Sequence, residues 1–285
     1  MKCFYHNDLD GRCAGAIVAH FTGNRNANDY FEVDYVMDLP INVVENGETI
    51  FFVDYSFKEN TGHVLRELKE RDCSIVWIDH HTSSINLCKK YIDLYKIDGC
   101  RNDEHSGAAL TWQWFTGQSF EKIPYCVRLV SDYDCWKFDY EPDTTFFKLG
   151  IESIDDDALD AVWKTLLNDF SGDSVNAQIA LGELIKDYVD KTNTYYREHF
   201  AYESEIAGHK CLVVNQKTNS WVFGNKYSEY PICMVWVFDG ERYSYSIFSG
   251  NEDIDCSKIA ESYGGGGHKG AAGFSSTELL FTSIE

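Results

Sequence analysis

Ile75-Val76-Trp77-Ile78-Asp79-His80-His81-Thr82-Ser83 is an apolar run that stops abruptly at an acid and two adjacent histidines. A short β-branched and aromatic run bounded by polar residues predicts a buried strand, so Asp79, His80 and His81 stand where the chain leaves the sheet. Open α/β sheets place chemistry along that edge. A pair of histidines that merely caps a strand end is the structural alternative, but the chain has only nine histidines to spend.

Outward from this strand, strand and helix alternate. Lys2-Cys3-Phe4-Tyr5 reads as a strand running into His6-Asn7-Asp8-Leu9-Asp10-Gly11, after which Ala14, Ile17, Val18 and Phe21 recur at helical spacing. Glu32 to Val36 reads as a second strand, and Thr49 to Val53 as a third that ends in Asp54-Tyr55-Ser56. The following helix carries Val64, Leu65 and Leu68 on its apolar stripe, with Glu67, Lys69, Glu70 and Arg71 on a solvated face. Beyond Asp79-His80-His81, Ser106 is the expected N-cap of a helix to Phe115, and a helix over Ile123 to Val130 ends in Ser131-Asp132-Tyr133-Asp134. Such alternation predicts an α/β domain, a largely parallel sheet with helices on both faces, over residues 1–175.

Asp155 to Asp160 reads as a helix start, and Val175 to Phe200 as one long helix with Ile179, Leu181, Leu184, Ile185 and Val189 buried. Residues 176–203 are read as the linker helix and 204–285 as a smaller C-terminal α/β domain. There Cys211 to Val214, Ile232 to Phe238 and Tyr243 to Phe248 are strands, the last two joined at the hairpin signal Asp239-Gly240. A helix from Cys256 to Tyr263 leads into Gly264-Gly265-Gly266-Gly267-His268-Lys269-Gly270-Ala271-Ala272-Gly273-Phe274.

Composition narrows the function classes. Lys and Arg total 25 against 46 Asp and Glu, a formal charge of −21, which opposes long-range attraction to nucleic acid or an anionic membrane. Any phosphate ligand must be held locally. Ten scattered cysteines with no C-x-x-C pair suggest small buried apolar residues in a reducing cytoplasm, and no stretch reaches the ~20 apolar residues of a membrane span.

His6, Asp8 and Asp10 alternate, and in extended chain such residues share a face. Asp54, His80 and either Asp132 or Asp134 stand at the ends of other elements of the same sheet, so six carboxylate and imidazole ligands converge. That mixture suits Mn²⁺, with Mg²⁺ or another divalent ion less well matched. Two ions ~3.5–4 Å apart, bridged by a carboxylate and a water, brace an in-line attack on phosphorus. Singly, Asp8 or Asp10 would be an N-cap and Asp54 a strand end; four such places in one domain are harder to explain structurally. The glycine run permits successive N–H groups to turn onto a phosphate, with His268 and Lys269 adding charge, where a plain turn needs one or two glycines.

These segments resemble the four successive motifs of the DHH phosphoesterase superfamily: His6-Asn7-Asp8-Leu9-Asp10-Gly11, Val53-Asp54, Asp79-His80-His81 and Val130-Ser131-Asp132. The glycine run resembles the signature of the DHH-associated C-terminal domain. The resemblance implies two Mn²⁺ ions on His6, Asp8, Asp10, Asp54, His80 and Asp132, with Asp54 bridging. It implies that His81 faces the scissile phosphate, that Asp79 orients the histidines, and that Gly264, Gly265, Gly266, Gly267, His268 and Lys269 bind substrate. The expected activity is hydrolysis of phosphodiester or phosphomonoester bonds in short oligonucleotides or small nucleotides, as in the nano-RNase, cyclic-dinucleotide and 3′-phosphoadenosine 5′-phosphate branches. Neither long duplex DNA nor a membrane is an expected partner, and a homodimer is left open. Two departures stand out: Phe4 occupies the place of the first histidine of many relatives, and Phe248 in Ser246-Ile247-Phe248-Ser249 that of a phosphate-binding arginine, for which Arg242 or Lys226 could substitute. A RecJ-type single-strand exonuclease, a family pyrophosphatase and a non-catalytic nucleotide-binding regulator are the rival readings.

Overall fold

β1 (Lys2–His6) lies between β2 (Tyr30–Val33) and β3 (Thr49–Val53), and β3 pairs with β4 (Ser74–Ile78), every pairing parallel. In this computed structural model, which describes residues 1–34, 38–58, 63–154, 157–169 and 171–284, they form the sheet of the first of two units, Met1–Ile185. Successive strand side chains point to opposite faces, and both faces are covered. Tyr5, Val53 and Ile78 pack against α1 (Leu9–Thr22), α4 (Gly107–Thr116) and α5 (Tyr125–Asp134), whereas Phe4, Phe52 and Trp77 pack against α2 (His63–Glu70) and Cys88 of α3 (Thr82–Tyr95). The continuously apolar strands are those of a parallel sheet buried on both sides.

β2 starts and ends earlier than Glu32 to Val36; residues 35–37 lie outside the described ones. Of Asp155 to Asp160, residues 155 and 156 lie outside them too, and α7 is Ala161–Leu166. The sequence reading does not contain α3 or α6 (Asp143–Glu152), whose opening turns Thr-Ser-Ser and Asp-Thr-Thr are rich in residues that favour turns and caps. α5 runs four residues beyond Val130, through Asp134.

α8 (Asp173–Phe200) passes from the first unit into the second, Lys186–Glu285. The expected burial of its stripe is corrected: Leu184 is 71% exposed, and Ile179, Leu181, Ile185 and Val189 are half-buried. The second unit holds a mixed sheet in the order β5-β6-β7-β8-β10-β9. Its strands are β5 (Tyr202–Ile206), β6 (His209–Asn215), β7 (Ile232–Phe238), β8 (Tyr243–Phe248), β9 (Gly266–Gly267) and β10 (Ala271–Ser276), with α9 (Cys256–Ser262) packed against β10. β7 and β8 form the expected hairpin, in which Asp239 accepts from the N–H groups of Glu241 and Arg242. The chain is thus a two-unit α/β protein. All ten cysteines are free, and no described helix is long and apolar enough to cross a membrane.

Candidate active site

The C-terminal ends of β1, β3 and β4 converge, and the acids and histidines that follow them are brought together. Asp8 is the N-cap of α1 and accepts from Gly11 N–H at 2.9 Å, so the structural reading of that residue holds. Its other oxygen lies 2.6 Å from His6 Nδ1. Asp10, 2% exposed, accepts from Ala108 N–H at 3.1 Å through one oxygen, and its second oxygen meets no donor. Asp54 is 1% exposed and sits in left-handed backbone at φ 51°, held there by its N–H to Ile78 O at 2.9 Å. Gly107 makes room for it, since a Cβ at Gly107 would lie 2.5 Å from that of Asp54.

Asp79 is fully buried and accepts from His80 N–H at 3.0 Å and from His81 Nδ1 at 2.7 Å. It therefore fixes the His81 ring, whose other nitrogen is left for a ligand. His80 Nε2 stands 3.3 Å from Asp54 Oδ1 and 3.4 Å from Asp134 Oδ2.

The fourth motif differs from expectation in which acid it delivers. α5 continues through Asp134, and residues two apart on a helix point about 200° apart. Asp134 turns to His80, while Asp132 turns inward and accepts from the N–H groups of Asp139 and Tyr140, at 2.9 and 3.3 Å, and from the Thr144 hydroxyl. The structure brings Asp134 into the cluster and leaves Asp132 as the clamp of the loop beyond it. Cys135, missed by the sequence reading, also places its sulfur beside His80 and Asp134.

Three ligand groups result: His6 with Asp8 and Asp54, Asp54 with His80 and His81, and His80 with Asp134 and Cys135. The first two share Asp54. Buried oxygens of Asp10, Asp54, Asp79 and Asp134 have no hydrogen-bond donor, and a carboxylate oxygen can only accept. Burial, then the charges of Asp10, Asp8 and Asp134, raise the Asp54 carboxyl well above its usual range. Burial followed by Asp10 pushes Asp134 up to about 8, and burial raises Asp10. Burial alone would lower His80, but Cys135 and the charges of Asp10, Asp134 and Asp79 carry it up to about 9. Asp8 goes the other way: burial would raise it, and His6 and Gly11 outweigh that. Such crowding of acids calls for positive charge from outside, and the oxygen and imidazole donors fit divalent cations.

The glycine run forms a helix stop and a hairpin. Gly264, at φ 79°, and Gly265 donate to Glu261 O and Ala260 O, capping α9. Gly267, at φ 147°, lies against Ala272, and a Cβ at Gly265 would lie 2.1 Å from Gly273 O. Three of the four glycines thus have local reasons; Gly266 has open space around it. His268 and Lys269 are exposed at the turn. Of the candidates to replace the absent arginine, Lys226 pairs with Glu229 at 2.6 Å and Arg242 bonds Ser275. Phe248 packs on Phe223 in the core of the sheet. His105, by contrast, stacks on Phe120 with ring centroids 4.0 Å apart.

No family model matches the chain. It is similar to uncharacterized protein R106 of Acanthamoeba polyphaga mimivirus, 28% identical over 250 residues that make up 84% of this chain and 54% of that protein. The chain therefore spans about half the length of that relative. Oligoribonuclease NrnB of Bacillus subtilis strain 168 is 21% identical across 98% of this chain and 73% of its own. Among solved structures, the DHH domain of a protein described as a member of a ribosomal protein family superposes with a TM-score of 0.53 at 11% identity, covering 95% of this chain and 81% of that one.

Proposed function

We propose that the chain, whose fold is similar to that of a DHH domain, is a divalent-metal-dependent phosphoesterase acting on short oligonucleotides or small nucleotides. The observation that carries this reading is the pair of ligand groups sharing Asp54, with buried carboxylate oxygens that no donor satisfies. His6, Asp8 and Asp54 would hold one cation, and Asp54 and His80, with Asp134 on the far side of His80, a second, Asp10 adding its charge; Mn²⁺ suits this donor set and Mg²⁺ could replace it. The cations supply an acidified water and a counter-charge for the phosphate oxygens.

The protein's own groups do the rest. Asp79 holds Nδ1 of His81 beside Asp54 and His80, which would leave Nε2 to bind a phosphate oxygen or protonate a leaving oxygen. Burial and mutual repulsion make Asp54, Asp10 and Asp134 hold their protons without a cation, so a cation would bind there in exchange for protons. In the second unit, Gly266, His268 and Lys269 are the proposed phosphate contacts, with Gly264, Gly265 and Gly267 shaping the hairpin that presents them. The relative named as an oligoribonuclease supports short RNA as the first substrate to try, and the −21 charge favours a small ligand over long duplex DNA. The ten free cysteines support a reducing, cytoplasmic setting.

The test is a Mn²⁺-dependent screen over dinucleotides, five-mers, cyclic dinucleotides, 3′-phosphoadenosine 5′-phosphate and pyrophosphate, run beside calorimetric Mn²⁺ titration. Asp54→Ala and His80→Ala should lose turnover and metal uptake together. Wild-type turnover in either variant would remove the mechanism, and metal uptake with no turnover on any substrate would favour a nucleotide-binding regulator.

A further inference from the structure

In the second unit, α8 and the 3-10 segment Ser220–Ser228 border a cavity of about 530 Å³, a size typical of small-molecule sites. Its helical wall is polar throughout. Lys186, Asp190, Asn193, Thr194 and Arg197 line it, at spacings that put them on one face of the helix. A helix face turned toward protein is ordinarily apolar; here the large side chains Tyr188 and Tyr195 are instead 72% and 53% exposed.

Arg197 is half-buried, and among the described residues no carboxylate pairs with it. Nη1 donates to Val222 O at 2.9 Å and Nη2 to Thr194 Oγ1 at 3.2 Å, which fixes the guanidinium in the wall and leaves three of its five N–H groups for a ligand. Gly224, in left-handed backbone at φ 50°, provides the space, because a Cβ there would lie 2.8 Å from Nη1. Four residues earlier than Arg197, Asn193 is 2% exposed and its Nδ2 meets no acceptor. An unneutralised guanidinium beside an unpartnered amide asks for a ligand with acceptor oxygens. Trp221 and Tyr227 complete the lining with aromatic surface, and Lys186, already paired with Asp190 at 2.6 Å, stands over the Trp221 ring at 5.2 Å.

We propose that this cavity binds a nucleoside monophosphate, its phosphate on Arg197 and the Asn193 amide and its base against Trp221. A bare anion would leave the aromatic wall unused, and a neutral ring would leave the guanidinium unanswered. The site is built from residues of the second unit alone, and binding there does not depend on hydrolysis. The structural alternative is that Arg197 only ties α8 to Val222.

Isothermal titration of the full chain in EDTA, which prevents metal-dependent turnover, decides between them. The probes are adenosine monophosphate, guanosine monophosphate, adenosine and inorganic phosphate. A monophosphate should bind one to one and more tightly than adenosine or phosphate alone. Arg197→Met and Trp221→Leu should each weaken it about tenfold or more, and Asp54→Asn should not. Thermal melts check that the variants fold. Should Arg197→Met unfold, Asn193→Leu and Trp221→Leu carry the decision. Wild-type affinity in the folded variants, no binding by the native chain at millimolar nucleotide, or loss of binding in Asp54→Asn alone would each overturn the proposal. Failure of the phosphoesterase reading would appear separately, as absent turnover with metal present.

Discussion

Asp132 and Asp134 are two residues apart and do opposite work. Asp132, 2% exposed, is the acceptor for two backbone N–H groups and a hydroxyl in the loop after α5. Replacing it by alanine strands the buried Thr144 hydroxyl and two partly exposed N–H groups, at a cost of about 1–3 kcal/mol on the usual penalty for an unmade buried hydrogen bond, and should lower the melting temperature with metal present or absent. Asp134 has like charges, His80 and the Cys135 sulfur around it. Asp134→Asn should leave the metal-free chain at least as stable, because it removes a repelling carboxylate, while weakening metal uptake and turnover by more than the roughly 10- to 100-fold that outer-shell partners cost. The pair of melts and metal titrations checks both halves. Full activity in Asp134→Asn, with activity lost in a folded Asp132→Asn, would return the ligand role to Asp132.

The hairpin of β9 and β10 separates structural glycines from a functional one. Gly267→Ala forces a side chain into backbone at φ 147° and against Ala272, a strain of about 1–3 kcal/mol, and Gly265→Ala meets Gly273 O; both should destabilise the chain. Gly266→Ala, with open space around it, should change stability by less than about 0.5 kcal/mol yet raise KM if a phosphate approaches its backbone. Unchanged KM in that variant would take the hairpin out of substrate binding. The strands of the first sheet were readable in advance because each is an apolar run buried on both faces, and Asp54, His80 and His81 followed from where those runs stop. The end of α5 was not readable: Ser131-Asp132-Tyr133-Asp134 is rich in residues that compete for backbone hydrogen bonds and resemble a turn. Tertiary contacts carry the helix through them, and that extension decides which acid reaches His80. The polar face of α8 was hidden for a related reason, since Leu184 and Val189 suggest an ordinary apolar stripe until Leu184 proves exposed.

The chain combines a surplus of acid with a cluster in which Asp10, Asp54 and Asp79 are buried together, and this sets how pH and metal must act on stability. In the metal-free chain Asp54, Asp10 and Asp134, the last at about 8, hold their protons above the range of an unfolded carboxylate, and His80 holds its own to about 9. Through these four groups, and against the smaller opposite effect of His20 and His105, which burial lowers, the folded state binds more protons than the unfolded state between about pH 4, the ordinary carboxylate range, and pH 9. More protons on the folded form means that stability falls as pH rises through that window. Divalent ions need the same groups deprotonated, so their affinity rises over it. The melting temperature in EDTA should accordingly decline from pH 5 to pH 8, while the gain on adding Mn²⁺ widens, reaching about 2.7 kcal/mol once free metal is 100 times Kd. Thermal melts at pH 5, 6, 7 and 8, with EDTA or Mn²⁺, measure both slopes. A Mn²⁺ gain that is absent, or flat with pH, would mean that the acids around Asp54 do not hold metal, because a cation bound there must compete with the protons those acids carry.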